Sequence, residues 1–166
     1  MIYLAILGII ILTYIIFLFI LNYKINKLEW KIIQLFSSRT NTIPWLYEIT
    51  KNYLVKHNKI FENSINLKKE EFIKIDNNSN FLDILQTEAL IHKELNFIFR
   101  ICKKNHKLEK NHKFIYLREI IINKSFEIGE KISIYKKIIK KYNKLIKIKN
   151  FTIVWLLVPI YPKETL

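Results

Sequence analysis

The hydrophobic pattern of this chain opens as an unbroken apolar run and then becomes periodic. Ile2 to Tyr23 carries no charged side chain, and its only clearly polar residues are Thr13 and Asn22. As a helix this stretch rises about 33 Å, enough to cross a hydrocarbon core of about 30 Å. A helix also satisfies its own backbone hydrogen bonds where no water is available. Lys24, Lys27, Glu29 and Lys31 end the run abruptly. From there Ile25, Leu28, Ile32 and Leu35 recur at intervals of three and four, an apolar stripe on one helix face. Ser37-Ser38-Arg39-Thr40-Asn41-Thr42 predicts a turn. Pro44 predicts a helix start, because its missing N–H is no loss in a first turn.

A second stripe, Leu46, Ile49, Tyr53, His57, Ile60, Ser64 and Leu67, predicts one helix of about 27 residues, roughly 40 Å long. Asp76-Asn77-Asn78-Ser79-Asn80 breaks it. The third stripe is Phe81, Ile84, Ile91, Leu95, Ile98 and Cys102, with Glu88 interrupting, and it closes in Lys103-Lys104-Asn105-His106-Lys107. The last is the cleanest: Phe114, Leu117, Ile121, Ile128, Ile132, Tyr135, Ile139, Tyr142 and Leu145. It approaches a coiled-coil heptad seam, with lysines mostly off the seam and one interior glycine, Gly129. Four amphipathic segments joined by short polar links predict an all-α fold, an N-terminal transmembrane helix continuing into an antiparallel four-helix bundle. The expected boundaries are an anchor at 1–23, a bundle at 24–149 and an apolar tail at 150–166. Across the first turn, the Leu46 and Ile49 face should lie against Ile32 and Leu35.

Composition narrows the chemistry. Two glycines and three prolines in 166 residues argue against a β-sandwich and against phosphate-cradling loops. A single cysteine, Cys102, excludes an internal disulfide and fits a reducing compartment. The net charge of +14 is uneven: ten basic and eight acidic residues lie between Lys24 and Leu90, against eighteen and six from Ile91 onward. No Lys or Arg precedes the apolar run, and large residues fill its end, so an uncleaved anchor is expected rather than a signal peptide. Lys24, Lys27 and Lys31 follow it, which places a single-pass protein's body in the cytoplasm.

No pattern for catalysis or metal binding emerges. His57, His92, His106 and His112 lack the spacing that puts two ligands on one helix face. Glu70, Glu71 and Asp76 read as a solvated face beside a turn. The charged feature that stands out is Lys131, Lys136, Lys137, Lys140, Lys141, Lys144, Lys147 and Lys149, a stretch that holds no acid between Glu130 and Asn150. It is either a solvated helix face or a surface for anionic lipid headgroups, each lysine there contributing on the order of 1 kcal/mol. Nucleic acid is disfavoured, since no recognisable binding fold accompanies the charge. In an up-down-up-down bundle the fourth helix returns to the membrane, bringing Lys140, Lys141, Lys144, Lys147 and Lys149 to the headgroups. The run from Phe151 to Val158 follows at once and is too short to span. Trp155, Leu156 and Leu157 either lie in the interface or cap the bundle.

Arg39, Ile43, Pro44, Leu46 and Glu48 stand in the order of an Arg-x-x-Leu-Ile-Pro-x-Leu-x-Glu signature, and Lys51, Tyr53 and His57 continue it. Leu108, Asn111, Phe114, Leu117, Glu119, Ile128, Tyr135, Tyr142, Asn143, Leu145 and Ile146 continue the likeness without a gap. In this order the chain resembles the LemA family. Three features depart from it: His106 stands where the family has a proline, the second arginine of its usual pair is missing, and Ile and Lys replace the small and acidic residues common in its last helix. The resemblance implies a membrane-tethered four-helix bundle without established enzymatic activity or cofactor. The expectation is therefore a non-catalytic interaction or membrane-organising module whose partners are the bilayer and an unidentified protein. The alternative is a sensor or accessory subunit holding a small ligand between helices, in a cavity lined by Tyr53, Tyr135 and Tyr142.

Overall fold

No proline interrupts Ile2 to Thr40, and the apolar run and the stripe behind it form one continuous helix of 39 residues, α1 (Ile2–Thr40), in the computed structural model. The structure describes residues 2–54, 58–76, 80–150 and 162–163, and every element among them is helical. The others are α2 (Ile43–Thr50), α3 (Asn58–Asp76), α4 (Phe81–Cys102), α5 (His106–Glu109) and α6 (His112–Asn150). The serines and Arg39 that predicted a turn are instead the last turn of α1. The chain reverses only at Asn41 and Thr42, after Thr40 donates its hydroxyl to the Phe36 and Ser37 carbonyls. Pro44 opens α2 as the sequence predicts.

The second predicted helix is two helices. Lys51-Asn52-Tyr53 forms a turn, with the Tyr53 and Leu54 amides both donating to the Thr50 carbonyl. Thr50, Asn52 and Tyr53 are weak helix formers, so little is lost by stopping there. The stop lets Leu46, Leu54 and Phe61 all reach the interior. Tyr53 is exposed, while His57 and the side chain of Ile60 lie outside the described residues.

Asparagines begin the later helices. Asn80 accepts from the Leu82 amide, Asn105 from Lys107 and Leu108, and Asn111 from Lys113 and Phe114. Each satisfies donors that a first turn leaves unpaired.

The chain divides into two compact units, a terminal one of residues 1–31 with 131–166 and a central one of residues 32–130. In the central unit Ile43, Leu46, Leu54, Phe61, Ile91, Leu95, Ile98, Cys102, Leu108, Phe114 and Ile121 form one buried cluster. The Tyr47 and Phe61 rings pack 5.3 Å apart, and Phe99 meets Phe114 edge-on at 6.5 Å. Leu46 belongs to a cluster drawn from α2 to α6, and Ile32 of α1 is itself fully buried. In the terminal unit Leu18, Leu21 and Ile25 of α1 are buried, as are Tyr135, Ile139, Tyr142 and Ile146 of α6. The two helices run antiparallel there: Tyr135 donates to Glu29, and Tyr14 donates to the Leu145 carbonyl.

Candidate functional site

A charge on an apolar stripe needs a partner, because an isolated ion in the interior is too costly. Glu88 stands on the α4 stripe between Ile84 and Ile91, and it is only 2% exposed. Its partner is Arg39, equally buried, whose Nη2 forms an ion pair with the Glu88 carboxylate. Nη1 of Arg39 donates to Ser125 Oγ at 3.1 Å and lies 3.5 Å from His92 Nδ1. Three stretches of the central unit meet here: the end of α1, the middle of α4 and the first half of α6. Beside this pair, Lys124 Nζ donates to the Ser38 carbonyl at 2.9 Å and also to the Ser38 hydroxyl.

The cluster's chemistry is that of a lock. The Ser125 hydroxyl donates to the Ile121 carbonyl at 2.8 Å, so its proton is committed to the backbone. Burial, and then the Arg39 charge, hold the His92 imidazole below its ordinary pKa, favouring the neutral ring. Its Nε2 lies 3.0 Å from the Asn96 amide nitrogen. Cys102 is buried in the central cluster, and burial pushes its thiol up to about 12, which suppresses the reactive thiolate.

A second polar cluster belongs to the terminal unit. Tyr135 donates to Glu29 Oε1 at 2.9 Å, and Lys163 Nζ reaches both Glu29 oxygens at 2.9 and 3.1 Å. Lys163 also donates to Asn26 Oδ1 at 2.7 Å. The Asn143 amide holds the Lys163 backbone at two points, donating to its carbonyl at 2.7 Å and accepting from its N–H at 3.0 Å. Burial, then Glu29, raise the Tyr135 pKa well above its ordinary value, and burial alone raises that of Tyr142.

The positions singled out in the sequence thus have distinct places. Arg39 anchors the buried pair, Ile43, Leu46, Leu108 and Phe114 are core, and Leu117 is half-buried. Asn111 caps α6, and Glu48 makes an exposed ion pair with Lys51 at 2.5 Å. Tyr135 and Tyr142 are buried in the terminal unit, whereas Tyr53 is 39% exposed in the central one. Lys140, Lys141, Lys144 and Lys147 are exposed on α6. The Lys149 side chain, with Trp155, Leu156 and Leu157, lies outside the described residues. Among the described residues no three His, Cys, Asp or Glu side chains gather where a metal could sit. A groove of about 390 Å³ beside His92, Asn96, Phe97 and Arg100 is lined by α4 alone and encloses little.

Sequence reasoning passed over Glu88, Ser125, Glu29, Asn26 and Lys163. Glu88 had a signal: Ile84, Glu88, Ile91, Leu95, Ile98 and Cys102 keep the stripe's spacing without a gap, and a carboxylate in such a register implies a buried cation. Lys163 had none.

Among the described residues one helix, α1 in its N-terminal part, is long and apolar enough to cross a membrane. No curated protein and no solved structure shows significant similarity to the chain. The LemA family model matches residues 29–157, from just before the buried Arg39 through the whole of the central unit and α6, and the chain therefore belongs to the LemA family.

Proposed function

We propose that this protein is a membrane-anchored, non-catalytic helical module that holds a rigid body against the cytoplasmic face of the membrane. The observation that carries this reading is the composition of the terminal unit. The N-terminal part of α1 exposes Ile2, Ile6, Leu7, Ile9, Ile10 and Leu12, apolar surface that water solvates poorly. α6 in the same unit exposes Lys140, Lys141, Lys144 and Lys147. Hydrophobic insertion and attraction to anionic headgroups then act together. Lys24, Lys27 and Lys31 after the apolar run favour the cytoplasmic side. The long helical segments are read as the family's antiparallel four-helix bundle, supported by the opposed directions of α1 and α6. A mostly apolar interior, tied at α1, α4 and α6 by the buried Arg39–Glu88 pair and its neighbours, suits a scaffold for another protein better than a reaction site.

Membrane fractions from cells making the full chain provide the test. The protein should stay with the membrane through alkaline carbonate washing. Replacing Lys140, Lys141, Lys144 and Lys147 with Gln should weaken its retention of phosphatidylserine over phosphatidylcholine in detergent-free nanodiscs. Release by carbonate would refute the anchor, and unchanged lipid preference would refute the lysine surface.

A further inference from the structure

Lys163 belongs to no helix or strand, so no ladder supplies partners for its backbone N–H and C=O. Both go to one side chain. The Asn143 amide accepts from the N–H at 3.0 Å and donates to the carbonyl at 2.7 Å. A residue that offers N–H and C=O to the same partner is read as an adjacent strand would read it, whatever its side chain. The side chain is read separately. An ammonium has three N–H donors, and that of Lys163 meets three acceptors: Asn26 Oδ1 at 2.7 Å, Glu29 Oε1 at 2.9 Å and Glu29 Oε2 at 3.1 Å. Backbone pairing, with a fitted place for one side chain, is how grooves bind extended peptides.

The helices build this slot without help from its occupant. Asn26 and Glu29 stand about one turn apart on α1, and Tyr135 and Asn143 about two turns apart on α6, all in the terminal unit. The buried Tyr135 donates its hydroxyl to Glu29 at 2.9 Å and so fixes the carboxylate. Asn26 is exposed, so the slot opens to water and a segment enters it without rearranging either helix. The bound tail is easily given up: the Lys163 and Glu29 side chains are 27% and 18% exposed, and ion pairs open to solvent contribute little.

We infer that this slot is a binding site for an extended, lysine-bearing segment of another polypeptide, which the chain's own Lys163 occupies until such a partner displaces it. The tail of a second copy would not suffice. It makes the same contacts as the resident tail, which residues 151–162 tether to α6 at an effective concentration on the order of millimolar. A partner segment with contacts beyond those of Lys163 outcompetes it. Arginine fits less well, because its planar fork cannot set three donors on these three acceptors as a compact ammonium does.

The inference names the kind of partner that the scaffold reading requires and rests on that reading. The two fail separately, because peptide binding in detergent is blind to membrane retention. The probe is a fluorescent peptide with the sequence of residues 159–166. It should bind the full chain carrying Lys163→Ala about tenfold more tightly than the unmodified chain, whose tail competes. The same peptide with Lys163→Met should lose about tenfold or more in affinity, and with Lys163→Arg several-fold. Adding Asn143→Ala or Glu29→Gln to the Lys163→Ala chain should abolish binding while far-UV circular dichroism stays unchanged. In the unmodified chain, where no variant has to fold, peptide at about millimolar concentration should speed hydrogen exchange at the Lys163 amide. Equal binding of the Lys163→Met peptide, or undiminished binding after Asn143→Ala, would overturn the site. So would a Lys163 amide whose exchange the peptide leaves unchanged. Dimers of the unmodified chain that disappear with Lys163→Ala would make a second copy the occupant and overturn the choice of partner.

Discussion

The buried pair gives the sharpest prediction about stability. Replacing Glu88 with Gln keeps the shape of the side chain but leaves the Arg39 guanidinium, 2% exposed, without its counter-charge. Ser125 Oγ at 3.1 Å is a neutral acceptor and compensates for only part of that loss. Removing one partner of a buried ion pair costs about 3–5 kcal/mol. Against a total stability of about 5–15 kcal/mol this is a large fraction. For a chain of this size it corresponds to a fall of roughly 6–20 °C in Tm. The double variant Arg39→Met with Glu88→Leu should return to within about 1–2 kcal/mol of the parent, or exceed it, because no charge then needs solvation inside. Thermal and urea unfolding of the full chain in detergent, followed by far-UV circular dichroism, measures Glu88→Gln, the double variant and its two component singles, Arg39→Met and Glu88→Leu. The coupling energy of the cycle should exceed about 2 kcal/mol. A Glu88→Gln variant within about 1 kcal/mol of the parent, or a double variant as unstable as the sum of the singles, would refute the argument.

Gly129 lies within α6, and a Cβ built there meets nothing within 4 Å, so Gly129→Ala should stabilise the protein by about 1 kcal/mol in the same melts. His92 is held below its ordinary value of 6.5, so as pH falls the unfolded chain takes up this proton before the folded one does. The stability that it contributes is complete above about pH 6.5 and declines below it; His92→Asn should flatten the slope of Tm against pH in that window. The Asn143 amide holds the backbone of Lys163, so Asn143→Ala should speed hydrogen exchange at the Lys163 amide while exchange in α4 stays unchanged, read by exchange mass spectrometry.

Periodicity determined the helical class, the buried stripes of α4 and α6, and the apolar run of α1, because side-chain direction along a helix follows from 3.6 residues per turn and needs no partner. The composition of the breaks at Asp76–Asn80 and Lys103–Lys107 located the two ends of α4, because runs of polar, turn-forming residues give a helix no apolar stripe to continue. The tertiary structure decided what depends on residues far apart in sequence. Arg39 and Glu88 are 49 positions apart, and whether a carboxylate on an apolar stripe is a flaw or a lock depends on what lies opposite. The second helix stops at Thr50, and Leu46, Leu54 and Phe61 join one core, a choice decided by packing once local propensity is weak. Lys163 reaches Glu29 across 134 positions, and no local pattern announces such a contact. The lysines of α6 were legible as a charged face, but their level against α1 is a property of the helix pair. That level comes from the register of two packed surfaces, which neither helix carries alone.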